Sequence, residues 1–201
     1  MPESTVAPAS DVIKHWMTKV LIEQCTSLHS FRIASSHVTA RGLKKVGEAI
    51  RDGQIQVYLS PHSGCSCPRY IGDNNNPALN GLSNFFVLPD RAKKADYQEL
   101  KCVVVHEAVH ALNDIEGITI STIDDEAAAY IAEVVFALTN NLPTHWTTGK
   151  PILEAALPAA QAIRAGNNHA LHKAMPELRR AVRHGYAKKT THYDGVPGIA
   201  K

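Results

Sequence analysis

From Lys94 to Asn113 the chain reads as a helix that is apolar on nearly every side, and no other segment constrains the fold as much. Tyr97, Leu100, Val104, Ala108 and Leu112 make one face, while Val103, Val105 and Val109 cover much of the rest. A helix of that kind must be packed all round, so it belongs at the centre of a domain. His106-Glu107-Ala108-Val109-His110 is set into its second half. Two imidazoles and a carboxylate inside an apolar helix cost a great deal unless a metal ion or hydrogen bonds satisfy them.

The neighbouring segments supply the layers around this helix. Asp11 to Leu28 reads as a helix with Val12, Trp16, Val20 and Leu28 near one face and Ser10 or Asp11 as its cap. Thr39 to Asp52 is a second, with Leu43, Val46 and Ile50 at helical spacing and Gly53 as its stop. Gln54–Leu59 alternates and reads as a strand, and Asn84–Leu88, ended by Pro89, reads as another. Between them, Ser60 to Leu82 carries Pro, Gly, three consecutive Asn and two Cys, the composition of a long loop. A turn at Asn113–Thr122 precedes a helix over about Ile123–Thr139, with Ala127, Ile131, Val134, Val135 and Leu138 as its core face. Two more helices, Ile152–Ala165 and Asn167–Tyr186, are separated at Gly166. The expected fold is α+β and mainly helical. A small sheet packs on the buried helix, further helices follow, residues 1–189 form one domain, and residues 190–201 form a loose tail.

Composition narrows the function classes. In 201 residues there are 11 His, 21 Lys and Arg, and 19 Asp and Glu. No apolar run approaches the roughly 18–20 residues that span a bilayer. Met1–Ser10 lacks a basic stretch followed by an apolar one, so no secretory signal is read and the cytoplasm is the expected compartment, with signal-less export left open. Cys25, Cys65, Cys67 and Cys102 then read as reduced thiols. Cys65-Ser-Cys67, with His62 nearby, lacks the matching second pair of a structural zinc site and reads as a loop with two thiols. Residues 164–201 hold eight Lys and Arg against two acids. With no aromatic or groove-reading motif beside it, that stretch reads as a solvated helix face, not a nucleic-acid surface.

The H-E-x-x-H spacing puts chemistry on one helix face. His106 and His110 lie one turn apart and point the same way, so both imidazoles can reach one ion, with Glu107 close enough to meet a water beside it. An open catalytic site wants a third ligand. Glu126, 16 residues after His110, shares a face with Tyr130 and Glu133 and meets the first helix if the two pack antiparallel across the short turn. Glu116, reached by a sharp turn at Asn113, is its strongest rival, followed by Asp125 and Asp124. Tyr130, one turn beyond Glu126, can donate to an oxyanion or be an ordinary half-buried tyrosine.

His106-Glu107-x-x-His110 followed by Glu126 on the next helix resembles the zincin metallopeptidases of the glutamate-ligand type, the gluzincins, over about residues 84–140. The resemblance implies a single zincin-like domain in which one zinc ion is held by His106, His110 and Glu126, with Glu107 as general base. It also implies an edge strand lining the cleft, a place Asn84–Leu88 fills in sequence. The chain departs from the family where Asp125-Glu126-Ala127-Ala128-Ala129 lacks the acid that the thermolysin-like branch carries one helical turn after the glutamate, leaving Asp114 or Glu133 to orient a ligating histidine. The metzincin pattern also fails, with Asn113 at its Gly position and Glu116 at its last His position. The expected function is a zinc-dependent peptidase acting on a peptide or protein substrate. A non-proteolytic zinc-containing binding module and a metallohydrolase of a non-peptide amide are the alternatives.

Overall fold

The apolar helix is α3, Gln98–Ile115, in a computed structural model that describes residues 7–60, 68–72, 83–89, 98–143, 147–186 and 190–192. Leu100, Val104, Val105, Ala108, Val109, Ala111, Leu112 and Ile115 are all buried, so it is packed on most sides, with Val103 and Glu107 half-buried. It runs two residues past Asn113, which lies inside the helix and not at a turn. The reversal comes at Gly117, whose positive φ of 58° lets the helix close. There Gly117 N–H donates to Asp114 O and Ile118 N–H to Asn113 O, a Schellman ending.

Before α3 come β1 (Ala7–Pro8), α1 (Asp11–Lys19), a π-helical turn over Val20–Gln24, and the hairpin β2 (Phe31–Ile33) and β3 (Ser36–Val38). They are followed by α2 (Ala40–Arg51), β4 (Gln56–Ser60), β5 (Arg69–Ile71) and β6 (Phe85–Pro89). After α3 come β7 (Thr119–Ser121), α4 (Thr122–Thr139), α5 (Pro151–Arg164), α6 (Asn168–Gly185) and β8 (Thr190–His192). The fold is thus α+β and mainly helical, with one mixed four-stranded sheet in the order β1-β4-β6-β5. No helix among the described residues is long and apolar enough to cross a membrane.

Several sequence expectations change in detail. The inward face of α1 is Ile13 and Met17, continued by Val20 and Leu21; Val12 is 75% exposed. Ile13, Met17 and Val20 make a regular i, i+4, i+7 stripe that leaves Val12 beside it, and the π-helical turn over Val20–Gln24 follows with Leu21 and Leu28 still buried. The segment read as one loop holds β5, which pairs antiparallel with β6. β6 in turn pairs in parallel with β4, so it is an interior strand, and the strand that ends the sheet beside α3 is β5. Thr119–Ser121, read as turn, pairs antiparallel with Thr190–His192, the first three residues of the segment read as tail. Tyr97, His62, Cys65 and Cys67 lie outside the described residues, and Cys25 and Cys102 are free and buried.

Candidate metal centre

α3 and α4 run antiparallel: His106 meets Glu133 and Tyr130 near the middle of α4, and His110 meets Asp125 in its first turn. Ser121 caps α4 by accepting from Asp124 N–H. Ala127, Ala128, Ala129 and Ala132, all buried, keep α4 thin enough for short carboxylate side chains to reach the imidazoles. Among the described histidines only His106 and His110 are buried, and the helix period that singled them out also places them inside the core.

Each imidazole is held by one nitrogen and offers the other. His106 Nδ1 lies 3.1 Å from Glu133 Oε2, and His110 Nδ1 lies 3.0 Å from Asp125 Oδ2. A carboxylate on Nδ1 fixes the tautomer in which Nε2 carries the free lone pair. Both Nε2 atoms face Glu126, at 3.5 Å from its Oε2 for His106 and 3.9 Å from its Oε1 for His110. The three ligand atoms all lie within 4.8 Å of one another, so His106, His110 and Glu126 can hold a metal ion. An ion with bonds of about 2.0–2.1 Å keeps tetrahedral ligand atoms about 3.3 Å apart, a little closer than each Nε2 stands to the Glu126 oxygen it faces.

An orphaned atom supports the fit. Among the described residues Glu126 Oε2 is buried and accepts no hydrogen bond; what it faces is His106 Nε2, 3.5 Å away, an ion pair only when that ring is protonated. A buried carboxylate oxygen without a donor is costly, and a cation shared with that nitrogen removes the cost. The charge balance points the same way, because Glu107, Asp125, Glu126 and Glu133 surround two imidazoles in one pocket. In the metal-free protein protons take up part of that role. Burial pulls the His110 imidazole down, but Asp125 and Glu107 outweigh it and raise it to about 9. Burial acts likewise on His106, where Glu126 and Glu133 outweigh it and hold it well above its ordinary value.

Glu107 stands beside the ligands on α3. Burial raises its carboxyl above the usual carboxylate range, against the attraction of His106 and His110 and a 2.7 Å hydrogen bond from Tyr70 N–H. Tyr70 belongs to β5, and its hydroxyl donates to Asp114 Oδ2 at 2.7 Å, so the edge strand is tied to α3 at both ends of one residue. Gly72 follows at a close approach, where a Cβ would stand 2.7 Å from Asp114 Oδ2. Asp114 therefore anchors β5, and Glu133 is the acid that orients a histidine.

The other candidates lie elsewhere. Glu116 is exposed and pairs with Lys45 at 3.3 Å, and Asp124 binds Arg179 of α6 at 2.7 Å. Asp125 reaches the site through His110 Nδ1, and Tyr130 packs edge-on against the His106 ring at 4.4 Å. The Tyr130 hydroxyl lies 3.0 Å from that of Tyr186, just past the end of α6. Burial, then the neighbouring Tyr186, raises the Tyr130 phenol; burial and Glu126 push Tyr186 up to about 12, so both stay protonated donors near neutrality. The ligands, Glu107 and both tyrosines line a cavity of about 830 Å³ whose wall includes Arg69–Gly72 of the edge strand, with Val103 and Leu153 as apolar lining.

Tyr186, Tyr70 and Asn113 escaped the sequence reading. Tyr186 and Tyr70 have no local signal, being brought in from α6 and from a three-residue strand. Asn113 did have one, since it lies three residues after His110 on the same helix face. Comparisons with protein-family models, curated proteins and solved structures find no match to this chain.

Proposed function

We propose that the chain is a zinc-dependent peptidase of the zincin kind, with His106, His110 and Glu126 as ligands and Glu107 as general base. The observation that carries the reading is the buried Glu126 Oε2, without a hydrogen bond among the described residues, facing His106 Nε2, with Glu107 beside the pair in the same cavity. Two imidazole nitrogens and one carboxylate oxygen are a donor set suited to zinc in an open site. The ion, when bound, supplies Lewis acidity that makes water acidic and polarises a carbonyl.

The protein's own groups do the rest. Glu107, its pKa raised by burial, takes a proton from the attacking water as the new C–O bond forms. The same carboxyl then gives the proton to the departing amine as the C–N bond breaks. In the protonated Tyr130–Tyr186 pair one hydroxyl donates to the other, which leaves one hydroxyl donor on the cavity wall for the carbonyl oxygen as it gains charge. β5, a strand end lining the cavity, favours an extended peptide over a compact amide as substrate.

Glu107→Gln, assayed on a panel of internally quenched peptides, is the test. Hydrolysis is expected to fall by about 10²–10⁴-fold with bound zinc unchanged. Full activity in that variant would remove the mechanism.

A further inference from the structure

A continuous chain of hydrogen bonds leads away from the metal centre to the β2–β3 hairpin. Asp125 Oδ2 takes His110 Nδ1 at 3.0 Å, Asp125 Oδ1 accepts from Asn113 Nδ2 at 2.7 Å, and Asn113 Oδ1 accepts from Ser36 Oγ at 2.8 Å. All four side chains are buried, Ser36 and Asn113 almost completely. The polarity of the chain is forced. Turning the Asn113 amide over would set its oxygen against the Asp125 carboxylate, so its nitrogen faces Asp125 and its oxygen is left for the Ser36 hydroxyl to donate to.

We propose that Asn113 and Ser36 are positioning residues for the metal centre. They hold the Asp125 carboxylate in the rotation that presents Oδ2 to His110 Nδ1, and through it keep His110 Nε2 aimed at the ion. The terminal torsion of an aspartate is broad and roughly two-fold, so a carboxylate gripped by one oxygen can swing, whereas one gripped by both cannot. His110 and Asn113 lie three residues apart on α3 and take one oxygen each, which makes Asp125 a clamp between two helices. Ser36 extends that clamp to a third element. The hairpin is itself fastened to the start of β7 by Ser35 Oγ donating to Thr119 O at 2.8 Å. This assignment rests on the metal reading of the site and not on peptidase activity.

Zinc affinity, measured by competition with a chromophoric chelator, and the visible spectrum of the cobalt(II)-loaded chain test it together. Asn113→Leu removes the donor to Asp125 at similar volume and is expected to weaken zinc about tenfold and to shift the cobalt band. Ser36→Ala removes only the outermost bond and is expected to weaken zinc about threefold. In an Asp125→Ala background, Asn113→Leu should add almost nothing, because its effect passes through Asp125. Unchanged affinity and an unchanged band in Asn113→Leu, with only a lower melting temperature, would overturn the proposal, as would a loss of equal size in the Asp125→Ala background. If Asn113→Leu does not fold, Ser36→Ala decides alone: wild-type affinity and spectrum there overturn it. A wild-type chain that takes up neither metal would overturn the metal reading and this proposal with it, a result separate from a wild type that loads normally and variants that match it.

Discussion

His106 and His110 lie one turn apart on one helix, yet they are held in different ways. His110 donates to Asp125, whose second oxygen is gripped by Asn113, which is gripped in turn by Ser36. His106 donates to Glu133, and no second side chain among the described residues donates to that carboxylate. What confines His106 instead is a ring, Tyr130, packed edge-on against it. One ligand is aimed by a hydrogen-bond chain across three elements, the other by packing and one carboxylate on a longer stem. The difference teaches where the centre is rigid: at the α4 start, where short side chains meet, and less so two turns further along α4, at Glu133.

The sharpest way to break this contrast is to neutralise the two orienting carboxylates. Asn in place of Asp125 sets its amide NH₂ against His110 Nδ1–H or Asn113 Nδ2–H, donor against donor, unless the Asn113 amide turns over and reverses its bond with Ser36. Gln in place of Glu133 can turn its carbonyl oxygen to His106. Asp125→Asn is therefore expected to weaken zinc about 100-fold, and Glu133→Gln about tenfold or less, by chelator competition. Equal losses, or the reverse order, would dissolve the distinction.

A smaller effect is expected from pH. The folded His110 pKa is raised to about 9, and His106 is also raised, against about 6.5 for an unfolded histidine. Protonation of these groups thus stabilises the metal-free chain fully below about pH 6.5, and that contribution is lost as pH rises through about 9. Melting temperatures of the chelator-stripped chain should fall between pH 6.5 and 9.5, while the zinc-loaded chain, whose ion takes the protons' place, should fall less. Asp125→Asn should flatten the slope of the stripped chain, since Asp125 is the strongest influence raising His110. An identical slope in that variant would show that the pH response arises elsewhere.

The parts legible in the sequence are those governed by helix periodicity. His106 and His110 followed from spacing on an apolar helix, and the expectation of Glu126 from a short turn between antiparallel helices. Thr39 and Gly53 marked the ends of α2, where the Thr39 hydroxyl accepts from Gly42 N–H and Gly53 takes a positive φ. What was not legible depends on distant partners. Arg69–Ile71 is too short to show alternation inside a Gly- and Asn-rich stretch, and becomes a strand only because β6 pairs with it. Asn113 has the local preferences of a turn residue, and the bond it makes to Asp125 from α3 overrides them. The phase of α1 was misread because Val12 and Ile13 are adjacent apolar residues, and spacing to Val20 suits either; packing buries Ile13 and leaves Val12 exposed.

The metal content of the purified chain, measured for wild type, Glu126→Ala and Glu116→Ala, tests the central claim most directly. Zinc close to one ion per chain in wild type and in Glu116→Ala, with its loss in Glu126→Ala, is the predicted result. Zinc retained by Glu126→Ala, or lost only in Glu116→Ala, would contradict the centre built from His106, His110 and Glu126.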